Sequence, residues 1–81
     1  MDKIIIEIIN KDFNSDEVEF VIQELSSITL KQVMGESEFN LLNTRLAILK
    51  LAKGKVAKVV EFTKCAKIDF RDVIMWSMEE K

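Results

Sequence analysis

The 81 residues include 12 Lys plus Arg, 14 Asp plus Glu, one Cys, no His and no Pro, with 48% hydrophobic and 32% charged residues. A chain this short buries only roughly 60% of the surface its unfolded form exposes, so one core takes nearly every apolar residue and a single domain is expected over 1–81. The missing His excludes the commonest general base, the commonest metal ligand and every Ser-His or Cys-His nucleophile, and the lone Cys65 excludes an internal disulfide.

No Asn-x-Ser/Thr sequon occurs, and the first residues do not read as a cleavable leader. The longest apolar runs, Ile4 to Ile9 and Leu46 to Ala52, are short and interrupted by Glu7 and Lys50, well below the roughly 20 residues that span a bilayer. A cytoplasmic protein without a membrane segment is the expectation.

Along the chain, Asp2 to Asn10 is rich in Ile and suits either a buried strand or a helix. With no second strand to pair with, it is read as helix. Asn14 then stands as N-cap with Glu17 three residues on and Phe13 positioned to staple Val18, which predicts a helix to about Leu25. Ile28-Thr29-Leu30-Lys31-Gln32-Val33 repeats the device, with Thr29 as cap, Gln32 reaching back and Gly35 ending a short helix.

Ser37 caps a helix from Glu38 to about Lys53 whose apolar residues cover most of its circumference. Leu41, Leu42, Leu46, Ala47, Ile48, Leu49, Leu51 and Ala52 leave a narrow polar strip at Asn43 and Lys50, with Arg45 inside the apolar arc. This helix should be buried. Gly54 supplies a left-handed turn, after which Val56, Val59, Val60, Thr63 and Ala66 share one face, with Lys58, Glu61 and Cys65 on the other. Asp69 caps a last helix to about Glu79, stapled by Ile68 and Val73, with Phe70, Val73, Ile74 and Ser77 inward.

The fold class is therefore all-α, a compact bundle of about five short helices and one short turn. The segment 28–34 also resembles 68–74 in residue type, a spacing of 40 that would fit a two-fold pseudo-repeat. A compact bundle is preferred, because solenoids need about three repeats.

Charge is segregated. Residues 1–43 hold nine acids and three bases, 44–67 hold seven bases and one acid, and 68–81 hold two bases and four acids. Lys50 and Lys53 suit a helix C-terminus, whereas Lys55 and Lys58 sit in a first turn, where the dipole disfavours cations and free N–H groups favour anions. With Lys64 and Lys67 they make a candidate anion-binding hairpin, open to a nucleic-acid phosphate, an acidic partner or the acidic N-terminal half. The slightly negative net charge and acidic last helix count against nucleic acid.

Lys53-Gly54-Lys55 lacks the spacing of a phosphate-binding P-loop and follows a helix, so nucleotide hydrolysis is not expected. Asp12-Phe13-Asn14-Ser15-Asp16 imitates half a calcium loop, but Glu17 stands where Gly is needed and Gln23 where the bidentate Glu is needed. Cys65, beside Lys64 and Lys67, lacks a base and reads as an inert thiol. No catalytic residue, metal or cofactor is assigned.

The last helix carries more apolar surface than one face can bury. Met75, Trp76 and Met78 form the candidate partner-binding set, with Arg45 as an outlying member that would otherwise pair with a carboxylate at the rim. The leading reading is a non-enzymatic interaction or regulatory module, an antitoxin-like or immunity-like partner, that binds a protein or self-associates as a homodimer through this helix. Polyanion binding by the basic hairpin 45–67 is the alternative.

Overall fold

The computed structural model describes residues 1–33 and 37–80. Among them α1 (Lys3–Asp12), α2 (Val18–Ser26), a 3₁₀ turn (Leu30–Gln32), α3 (Glu38–Ala52) and α4 (Val56–Glu79) follow in order, and no strand is present. The expected stop at Gly35, and Met34 of the matched segments, lie outside the described residues.

Asp2 starts α1 by accepting the Ile4 N–H at 3.0 Å, and the i, i+4 pair Ile5 and Ile9 is fully buried. Burial of each Ile contributes roughly 1.5–3 kcal/mol, so a helix that turns this pair inward is favoured. The expected start of α2 at Asn14 is corrected to Val18. The Glu17 N–H donates to the Asn14 carbonyl at 2.8 Å and the Asn14 N–H to Glu17 Oε1 at 3.1 Å, closing a turn that delays the helical ladder. Phe13 is buried beside this turn.

Thr29 opens only a three-residue 3₁₀ turn, where its N–H donates to Gln32 Oε1 at 2.8 Å. Ile28 and Val33, the expected staple, are both buried. Ser37 caps α3, accepting the Asn40 N–H at 3.2 Å. Thr44, Ala47, Ile48, Leu49 and Ala52 of α3 are buried, and α3 packs along α4 as the most extensive helix pairing.

Between them Lys53 itself takes the left-handed conformation expected of Gly54 (φ 50°), and Gly54 follows at φ 79°. A Cβ on Gly54 would stand 2.9 Å from the Asp12 carbonyl oxygen. Glycine is therefore required here twice, by its backbone angle and by the end of α1 lying against it.

The described α-helices number four, with the residues expected as the last two helices joined in one element, α4. Its continuity is interrupted at Asp69, whose φ −154° and ψ 102° are extended. Asp69 Oδ1 accepts the Arg71 N–H at 3.0 Å, a cap in the middle of the element. A straight helix would hold Phe62 and Trp76 about 21 Å apart along its axis, yet their ring centroids are 6.2 Å apart. The chain thus turns back at Asp69, and α4 comprises a first limb, 56–68, and a second limb, 70–79.

Val59, Thr63 and Ala66 of the first limb and Phe70, Val73 and Ser77 of the second are buried. The ends of the returning chain meet where Lys53 Nζ lies 2.7 Å from Glu80 Oε1. The matched segments 28–33 and 68–73 take different forms, a 3₁₀ turn and the start of a helical limb, so the pseudo-repeat has no structural counterpart among the described residues.

Candidate interaction surface

The second limb of α4 presents its inner face as expected, with Phe70, Val73 and Ser77 buried and Ile74 half-buried. Ser77 satisfies its hydroxyl by donating to the Ile74 carbonyl at 2.7 Å. What remains outside is apolar: Met75 is 51% exposed and Met78 77%. Trp76, at 36%, differs from both, because its ring tilts at 59° against Phe62 and is partly covered by the first limb.

These three side chains do not share a face. At about 100° per residue, Met75 and Met78 lie about 60° apart, while Trp76 is about 160° from Met78. The structure brings Met78 instead to a groove of about 340 Å³ between the second limb and α3, lined by Asn43, Leu46, Lys50, Ile74 and Ser77. The outward strip of α3 is not purely polar. Phe39, Asn43, Leu46 and Lys50 recur at i, i+4, i+7 and i+11, Phe39 is 72% exposed and Leu46 half-buried. Phe39 lies outside the apolar arc read from the sequence, and Leu46, counted in that arc as buried, is only half-covered because helical spacing does not say where the neighbouring helices end.

Arg45 is removed from the partner-binding set, and the expected carboxylate partner is corrected as well. It donates from Nε to the Leu25 carbonyl at 3.1 Å and from Nη2 to the Ile28 carbonyl at 3.0 Å, occupying acceptors at the end of α2. Desolvation lowers its pKa. The reason is geometric: as the chain leaves α2 the Leu25 carbonyl, which also accepts the Ile28 N–H at 3.2 Å, and the Ile28 carbonyl just beyond the helix lie close enough for one guanidinium fork to reach both.

The six lysines do not all line one groove. Lys53 pairs with Glu80, and Lys58 Nζ lies 3.0 Å from Glu61 Oε2. Lys53, foremost, with Lys50 farther off, holds the Glu80 carboxyl below the usual carboxylate range. Lys53, Lys55 and Lys58 line one groove with Phe62 and Glu80, Lys58 also lines a second with Lys64 and Cys65 on the outer side of the first limb, Lys50 lies beside Met78, and Lys67 is exposed. The hairpin thus groups Lys53, Lys55 and Lys58 around one groove that Glu80 also lines, and Lys50 and Lys67 line neither that groove nor the one beside Cys65.

Among the described residues no group of three or more Cys, Asp or Glu side chains is gathered to hold a metal ion, and no helix is long and apolar enough to cross a membrane. The family models, curated proteins and solved structures show no match to this chain.

Proposed function

We propose that the protein is a non-enzymatic interaction module whose binding surface is the outer side of the second limb of α4 together with the adjoining strip of α3. The observation that carries this reading is the exposure of Met75 and Met78 on a short helix whose buried face is already complete. Flexible thioethers suit an adaptable docking surface, and Leu46 and Ile74 extend it across the groove. The polyanion reading is less well supported, because two of its six lysines stand in ion pairs and the six do not line one common groove.

The test is site-specific photo-crosslinking in cells. A photoreactive residue at position 75 or 78 is expected to give a discrete higher-mass adduct, while the same residue at the exposed position 19 on α2 gives none. Equal labelling at all three positions, or none at 75 and 78, would overturn the reading.

A further inference from the structure

Resting on that surface, we infer that its occupant is a second copy of this chain, with the second limbs of α4 paired antiparallel about a two-fold axis at Met75. The argument is one of charge complementarity along a single strip. Arg71, Met75 and Glu79 are spaced by four residues, so they rise along one side of the limb within about 80° of one another, and all three are exposed. The strip reads basic, apolar, acidic. Turned end for end about Met75, it places Arg71 of each copy opposite Glu79 of the other and Met75 against Met75, as an isologous contact requires.

Arg71 has donors to spare for this role. It spends Nε and Nη2 on Asp69, at 3.0 and 3.1 Å, which leaves the Nη1 hydrogens and one on Nη2. The Asp69 carboxylate meanwhile fixes the direction of the guanidinium. Glu79 stands in no ion pair among the described residues. Met78, next to Met75 on the wheel, reaches the groove of α3 and widens the apolar centre, while Asp72 and Glu79 keep one margin of the strip acidic. A contact between two limbs of about three turns falls at the small end of specific interfaces, which sets association in the micromolar to millimolar range.

The test is sedimentation equilibrium of the full chain from about 10 µM to 1 mM, with charge-exchanged variants. The wild type is expected to fit a monomer–dimer equilibrium. Arg71→Glu alone and Glu79→Arg alone should each weaken it roughly tenfold, because symmetry applies every change twice, and the chain carrying both should recover it. Glu79→Arg disturbs no described ion pair, so it keeps the test clean if Arg71→Glu loosens the turn at Asp69. A monomer at every concentration would overturn the inference, as would a dimer indifferent to both reversals. Crosslinking of position 78 to a different protein alone would also overturn it while leaving the proposed surface standing.

Discussion

Replacement of Arg45 by Met separates architecture from interaction. Met keeps most of the apolar stem and removes the guanidinium, so the Leu25 and Ile28 carbonyls lose donors at 3.1 and 3.0 Å. Hydrogen bonds to a charged group contribute about 1.5–3 kcal/mol each; the site is only half-buried, water replaces part of the loss, and removing a desolvated charge returns some more. The expected net cost is about 2–3 kcal/mol, a large share of the roughly 4–12 kcal/mol expected for a domain of this size. Urea unfolding followed by Trp76 fluorescence should show the midpoint falling by about 2 M at an unchanged slope near 1 kcal/mol/M. Arg45→Lys, which keeps the charge and loses the fork, should fall between the two. A midpoint for Arg45→Met within about 0.5 M of the wild type would refute the assignment of Arg45 to the end of α2.

Gly54→Ala should cost about 1–3 kcal/mol in the same assay, since it forces a Cβ into a left-handed backbone at 2.9 Å from the Asp12 carbonyl oxygen; an unchanged midpoint would mean that α1 does not end against the hairpin. Thr63→Val should raise stability by about 1 kcal/mol and the melting temperature by roughly 4–8 °C, because the buried Thr63 hydroxyl has no hydrogen-bond partner among the described residues and Val has nearly the same shape. Hydrogen bonds from Arg71 and its nearby charge hold the Asp69 carboxyl below its ordinary value. A depressed folded-state pKa contributes stability that is present above the unfolded value, about 3.9, and is lost as pH falls through the lower folded value. Asp69→Asn should therefore flatten the acid limb of the stability curve below about pH 4 and leave its slope near neutrality unchanged, as measured by urea midpoints across pH.

Much of the helical content was legible because periodicity and capping are local. Ser37 and Asp69 each accept the backbone N–H that such caps accept, and the inward set Phe70, Val73 and Ser77 follows from helical spacing alone. The start of α2 was misplaced because Asn14 and Glu17 can close either a helix cap or a turn, and both use the same hydrogen bond. The role of Arg45 was not legible, since its partners are carbonyls 17 and 20 residues away that no residue-type pattern marks. The dispersal of Met75, Trp76 and Met78 was partly legible from the wheel, but the covering of Trp76 depends on the chain turning back at Asp69 to bring Phe62 beside it. The lysines looked concentrated in the sequence because they are close in number. Lys50 stands instead beside Met78, apart from the groove that Lys53, Lys55 and Lys58 share, and Glu80 arrives beside Lys53 only through the return of α4.

The central claim is that this chain meets a second copy of itself through Met75 and Met78. Methyl-labelled methionine spectra recorded over a dilution series from about 1 mM to 10 µM test it at the residues themselves. The Met75 and Met78 methyl signals should shift progressively with concentration, and by more than that of Met1, which lines a separate cleft beside Phe39. Signals of Met75 and Met78 that are invariant throughout, or a shift confined to Met1, would contradict it.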